Sequence, residues 1–176
     1  MIKTEVFLDS IKKSDLTDIQ KWFSDEQFLK NYHYEIIRET SLKSLKKLYI
    51  KNNEKVYRPF AIRLEGEDEI VGITELFDIS DKNRTAWISV GIGNGRFQGK
   101  GYGKQAMIQT IDYAFNKLNL RKLQLAVIGY NDKAISLYEG LGFVKEGAFR
   151  KLVLFDNKEY DLNLYGILKQ EWKQGK

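Results

Sequence analysis

The chain has 176 residues, of which 43% are apolar, 30% charged and 13% aromatic, with a formal net charge of +5. That length fits one domain able to bury roughly 70% of its unfolded surface, and the composition excludes disorder and collagen-like or mucin-like chains. With no cysteine and a single histidine, His33, the sequence has no thiol nucleophile, no disulfide scaffold, no thiolate metal site and no histidine-rich zinc cluster.

No apolar run approaches the roughly 18 residues of a membrane span, and the first ten residues carry Lys3 and Glu5 where a signal peptide would be apolar, so a cytoplasmic protein is expected. An isoelectric point near 9.2 allows attraction to phosphates, either of a nucleic acid or of a nucleotide cofactor. The basic residues are scattered among 24 acidic ones, the pattern of a solvated surface.

In chain order, residues 3–8 read as a strand and residues 14–23 as a helix, with Ser14 offered as its cap and Leu16, Ile19 and Phe23 at helical spacing. Residues 25–38 fit no single period. Thr40 and Ser41 can cap a second helix with Leu42, Leu45, Leu48 and Tyr49 on one side and Lys43, Lys46, Lys47 and Lys51 outside. From Tyr57 the period becomes two, and residues 57–64, 70–79 and 85–92 form three antiparallel strands in series. A helix follows over 102–118, a buried strand over 122–128, a short helix over 131–141 ended by Gly142, and a hairpin of 143–155 and 160–168. The expected architecture is α/β: a single domain over 1–172 with a short frayed tail at 173–176, in the order β-α-α-β-β-β-α-β-α-β-β, its mixed sheet covered by helices on both faces.

Between the strand ending at Ile92 and the helix starting near Tyr102 lie Gly93, Gly95, Gly99, Gly101 and Gly103. Such a density permits positive φ and lets successive amides line one concavity at a helix N-terminus, a site for a phosphate or pyrophosphate to which Lys100 and Lys104 would add charge. The P-loop pattern fails, because Asn94 stands where its first glycine belongs and Gly101 where its Ser or Thr belongs. The strict G-x-G-x-x-G pattern has no match either, and only its looser ending in alanine fits Gly101, Gly103 and Ala106.

Gln98-Gly99-Lys100-Gly101-Tyr102-Gly103 resembles the Q/R-x-x-G-x-G/A signature of the GNAT superfamily of acetyl-coenzyme A dependent N-acetyltransferases. A second segment, with Asn131, Ala134, Ile135, Tyr138, Leu141, Gly142 and Phe143, is similar to the N-x-x-A-x-x-x-Y-x-x-x-G-F block that follows in the same superfamily. The resemblance covers most of residues 1–172, is weakest over residues 25–57, and is nearest to the branch of spermidine and ribosomal-protein N-terminal acetyltransferases.

The resemblance implies direct attack of an amine on the acetyl thioester in a ternary complex, without acyl-enzyme or metal. It implies a sheet splayed between its fourth and fifth strands, with Gly91, Ile92 and Gly93 offering backbone groups to the pantetheine arm. Gln98, Gly99, Lys100, Gly101, Tyr102, Gly103 and Lys104 would wrap the pyrophosphate. Tyr138 maps to the tyrosine that protonates the departing thiolate, which for an ordinary phenol is uphill by about 2 kcal/mol and calls for positioning or a lowered phenol pKa. Asn131, Lys133 and Ser136 map to positions that touch the cofactor, Asn131 being equally a plain helix cap.

Glu75 maps to a carboxylate near the acceptor and is the candidate base; alternation sets it on one face with Phe77, and Thr74, Leu76 and Asp78 on the other. A polyamine acceptor would call on Glu35 and Glu39 with nearby Asp25 and Glu26, and Trp22, Phe23, Phe28, Tyr32, His33 and Tyr34 either line its pocket or pack the core. Other acceptors stay open: a protein N-terminal amine or another small amine. Two different classes also stand beside the enzyme: a nucleic-acid or regulatory binding module using the lysine row, and a non-catalytic acetyl-coenzyme A sensor. The final hairpin offers an edge for a homodimer.

Overall fold

In the computed structural model, which describes residues 5–32 and 40–173, the strands are β1 (Val6–Asp9), β2 (Tyr57–Leu64), β3 (Ile70–Ser80), β4 (Thr85–Ile92), β5 (Lys122–Ile128), β6 (Val144–Phe155) and β7 (Lys158–Leu168). The helices are α1 (Leu16–Trp22), α2 (Glu26–Tyr32), α3 (Leu42–Tyr49), α4 (Tyr102–Asp112) and α5 (Asp132–Gly140). All seven strands join one sheet in the order β1-β2-β3-β4-β5-β7-β6, with β4 and β5 parallel and every other pair antiparallel. This is the expected mixed sheet, with one helix more than the sequence period gave: α2 lies in the segment that fitted no single pattern.

Helices cover both faces. On one, α1 to α3 bury Ile19, Phe23, Phe28, Leu45 and Tyr49 against Ala61 and Ile73. On the other, α4 and α5 bury Met107, Ile111, Tyr138 and Leu141 with Leu76, Ile88, Leu123 and Ile167. Each such side chain removed from water is worth roughly 1.5–3 kcal/mol.

Local chemistry explains where the elements begin and end. Ser41 caps α3 as its sequence predicts, its Oγ accepting the Ser44 amide at 3.2 Å. Ser14 does not cap α1; Asp15 instead accepts the Lys12 amide at 2.7 Å and closes a 3-10 turn ahead of the helix. The same Asp15 oxygen takes Arg63 Nη2 at 2.7 Å, and Arg63, only 1% exposed, also reaches Asp9 at 3.1 Å. Removing one partner of such a buried pair typically costs about 3–5 kcal/mol, because the other charge is left buried and unpaired. The long helix expected over 102–118 is α-helical only to Asp112, and Tyr113–Lys117 is a wider π turn whose Phe115 carbonyl accepts Lys169 Nζ at 2.6 Å. Gly142, with φ of 94°, stops α5, and Asp156 and Asn157, with φ of 50° and 56°, make the two-residue turn of the last hairpin.

Candidate active site

The ladder between β4 and β5 holds at Thr85–Lys122, Ala86–Leu123 and Trp87–Gln124, and beyond these pairs the two strands part. Gly93 donates its amide to Val71 at 3.0 Å, which fixes the alternation along β4: the backbone groups of Gly91 and Gly93 face β3, and those of Val90 and Ile92 face the gap. The expectation that Gly91 and Gly93 present backbone groups to a bound arm is therefore corrected for the Gly93 amide, which the sheet already uses. Both glycines are packing positions. A Cβ on Gly93 would sit 1.9 Å from the Trp22 ring and one on Gly91 2.6 Å from Tyr32, so α1 and α2 lie directly on the backbone of β4.

Past β4 the chain makes a 3-10 turn at Gly95–Phe97 and enters α4 through Gly99 and Gly101, whose φ values of 73° and 82° require glycine. Both glycines face open space, and the first amides of the 11-residue α4 are left without helical acceptors. Lys100 and Lys104 are exposed, while Tyr102 and Gly103 are half-buried. The Lys100 ammonium lies 5.9 Å and the Arg96 guanidinium, which is paired with Glu69, 4.5 Å from the Phe97 ring centroid, so the unpaired positive charge at this helix end comes from the lysines. Gln98 has a bracing role in the structure: its Nε2 donates to the Ile92 carbonyl at 3.0 Å and ties the turn to the end of β4.

A cavity of about 1020 Å³ lies beside the gap, between α2, α3 and the sheet, and its wall includes both Glu75 and Tyr138. Tyr138 projects from α5, 8% exposed and edge-on to Phe143 with ring centroids 6.1 Å apart. Burial pushes its phenol up to about 12, so the lowered pKa that would ease proton donation is not found. The hydroxyl is held in its acid form at neutral pH.

Glu75, 8% exposed on β3, accepts three hydroxyls. Tyr32 OH reaches Oε2 at 2.5 Å, Ser89 Oγ reaches the same oxygen at 2.9 Å, and Tyr57 OH donates to Oε1. Tyr49 stands beside Tyr57 with ring centroids 6.4 Å apart. Burial, reinforced by the negative charge of Glu75, holds the phenols of Tyr32, Tyr49 and Tyr57 well above their ordinary range, so all three stay neutral donors. Sequence reasoning offered Tyr32 as a pocket residue, and the structure sets it on Glu75, but it missed Tyr49 and Tyr57, which come from α3 and β2. Ser89 was within reach as the residue opposite Glu75 once β3 and β4 are paired.

Other expected residues fall as follows. Asp78 does not follow strict alternation: its φ is 48°, the β3–β4 register shifts between Phe77 and Ser80, and its exposed side chain belongs to the cavity wall with Glu75 and Phe77. Asn131 caps α5 by accepting the Ala134 amide at 3.2 Å, and its Nδ2 donates to the Asn31 carbonyl at 3.2 Å, linking α5 to the end of α2. Lys133 and Ser136 are exposed on α5. Trp22, Phe23 and Phe28 pack the core, with Phe23 also reaching the cavity. His33, Tyr34, Glu35 and Glu39 lie outside the described residues. Among the described residues no group of three or more His, Cys, Asp or Glu side chains could hold a metal, and no helix is long and apolar enough to cross a membrane.

Comparison with known proteins agrees with this geometry. The spermidine N(1)-acetyltransferase of Vibrio cholerae is 28% identical over 172 residues, 97% of each chain. Its crystal structure in complex with CoA and spermine superimposes with a TM-score of 0.85 over 95% of this chain and 97% of that one. A prophage-derived uncharacterised N-acetyltransferase of Bacillus subtilis, YokL, is 31% identical over 64% of this chain, and the match spans 63% of YokL. The putative ribosomal N-acetyltransferase YdaF of the same organism is 31% identical over 61% of this chain and 58% of its own. The family model described as the acetyltransferase (GNAT) domain matches residues 8–164, and with a splayed parallel pair behind a glycine turn and a buried tyrosine facing the gap, the chain belongs to the GNAT acetyltransferases.

Proposed function

We propose that this protein transfers the acetyl group of acetyl-coenzyme A to a primary amine seated between Glu75 and Tyr138. The observation that carries the reading is that both side chains face one cavity at the place where β4 and β5 part. The V. cholerae relative solved with CoA and spermine supports the same choice of donor and of an amine acceptor.

In this reading the gap-facing backbone of Val90 and Ile92 holds the pantetheine arm, and the α4 amides with Gly99, Lys100, Gly101, Tyr102, Gly103 and Lys104 hold the pyrophosphate. Asn131, Lys133 and Ser136 flank the arm from α5. The donor supplies an activated acetyl group. The N–C bond forms as the C–S bond breaks, Tyr138 gives its proton to the departing sulfur, and the proton shed by the amine restores the phenol. With the phenol at about 12, that donation is uphill by about 5 kcal/mol against a free thiol, so Tyr138 must act by position, as the bond breaks. Glu75 draws the acceptor's ammonium into the cavity and helps it lose its proton, directly or through water.

The reading takes residues 1–172 as one catalytic unit working in the cytoplasm. A second copy is its proposed partner, at the edge strand β6, where Val144, Leu152, Leu154 and Phe155 are 43–72% exposed. A relative from V. cholerae has been solved as a dodecamer. The test of the reaction is release of free thiol from acetyl-coenzyme A on adding a primary amine, with the amide product identified by mass. Turnover without amide would overturn the proposal.

A further inference from the structure

A carboxylate accepts about four hydrogen bonds, and with the Tyr49 phenol added to Tyr32, Tyr57 and Ser89, hydroxyls fill the places on Glu75. An amine nitrogen drawn toward Glu75 therefore meets hydroxyl oxygens around the carboxylate. Each such hydroxyl gives its one hydrogen to Glu75 and keeps lone pairs that accept an N–H.

These hydroxyls differ in where the fold puts them. Tyr57 comes from β2, on the side of β3 away from the gap, and Tyr32 and Tyr49 come from helices packed on the sheet. Ser89 is on β4, which borders the gap, just beyond Trp87, the last residue of β4 paired with β5. It is half-buried, lines the cavity that Tyr138 also lines, and as the register partner of Glu75 donates its Oγ hydrogen to Oε2 at 2.9 Å. Ser89 thus stands where the sheet opens, with the carboxylate on one side and the gap on the other.

We infer that Ser89 relays the acceptor's proton to Glu75. The ammonium nitrogen donates an N–H to Ser89 Oγ, and as that proton reaches Oγ the serine's own hydrogen passes to Oε2. One N–H and one Oγ–H bond break while a new Oγ–H and an Oε2–H bond form. The ammonium becomes a neutral amine with a lone pair for the thioester, the serine is unchanged, and the carboxylate becomes an acid that returns its proton to cavity water before the next cycle. The inference rests on the proposed acetyl transfer and names the route by which Glu75 deprotonates the acceptor, with Ser89 as a catalytic residue in contact with the amine.

The test is thiol release at saturating acetyl-coenzyme A, at pH 7 and pH 9, in the wild type, Ser89→Ala and Ser89→Thr, with whichever of hexylamine, 1,6-diaminohexane and spermidine turns over fastest. Ser89→Ala is expected to lower kcat/KM for the amine about tenfold at pH 7 but less than about twofold at pH 9, because the neutral fraction of an alkylamine of pKa near 10.4 grows about tenfold per pH unit and needs no relay. Ser89→Thr keeps the hydroxyl and is expected to follow the wild type at both pH values, and the dissociation constant of acetyl-coenzyme A is expected to hold in both variants. A serine that only braced Glu75 would cost the same factor at both pH values. That result, an undiminished Ser89→Ala, or a folded Ser89→Thr as slow as Ser89→Ala at pH 7 would overturn the relay and leave the acetyltransferase reading standing. Absence of thiol release from all three amines in the wild type would overturn the acetyl transfer itself, and the relay with it.

Discussion

Ser89 Oγ donates to Glu75 Oε2 at 2.9 Å, and the two residues are register partners across the β3–β4 ladder. Sheet register therefore places this carboxylate: a slip of one residue would turn Glu75 onto the α4 face, where Thr74 now meets Thr110 at 3.1 Å. Glu75→Gln keeps the shape and removes the charge. It is expected to lower kcat/KM for the amine by about tenfold to a hundredfold, with acetyl-coenzyme A binding unchanged; calorimetry and thiol release on the same sample separate the two.

Tyr138→Phe removes the hydroxyl proposed as proton donor and leaves the packing against Phe143. Turnover is expected to fall by at least about tenfold while the dissociation constant for acetyl-coenzyme A and the melting temperature hold. Undiminished kcat would take Tyr138 out of the chemistry.

The pH profile follows from the sign of the Tyr138 shift. A phenol raised to about 12 by burial keeps its proton through neutral and mildly alkaline pH, so its loss cannot impose a basic limb there. An alkylammonium with a pKa near 10.4 is meanwhile converted to the nucleophilic amine as pH rises. Turnover at fixed subsaturating amine is expected to climb from pH 6 to about pH 9 without a descending limb. A decline centred near pH 9 that vanishes in Tyr138→Phe would contradict the assignment.

Gly93→Ala tests the packing role of the glycine at the end of β4. Its new methyl would lie 1.9 Å from the Trp22 ring, so α1 must shift, at an expected cost of about 1–3 kcal/mol in urea unfolding. A variant of unchanged stability would show that Trp22 is free to move aside.

The succession of strands and helices along the chain, the glycine turn and the helix that carries Tyr138 were legible because each is written in local spacing: a change of period from 2 to 3.6, clustered glycines, and two blocks at fixed separation. Glu75 could be placed on a face but not in its surroundings. Its hydroxyl donors come from residues 32, 57 and 89, which only the tertiary fold assembles. Asp78 escaped because a bulge breaks the period of two, and Gly93 because its requirement is a tryptophan some 70 residues earlier. Gln98 has the residue type expected of a phosphate loop, yet its side chain is engaged with its own strand.

Titration of the protein with acetyl-coenzyme A by calorimetry, in the wild type and in Gly101→Val, asks whether the β4–α4 turn holds the donor. One site of micromolar affinity is expected, weakened in the variant because a β-branched residue is strained at a φ of 82° beside the α4 amides. No heat of binding in the wild type, or equal affinity in a folded variant, would contradict the placement of the donor on the β4–α4 turn.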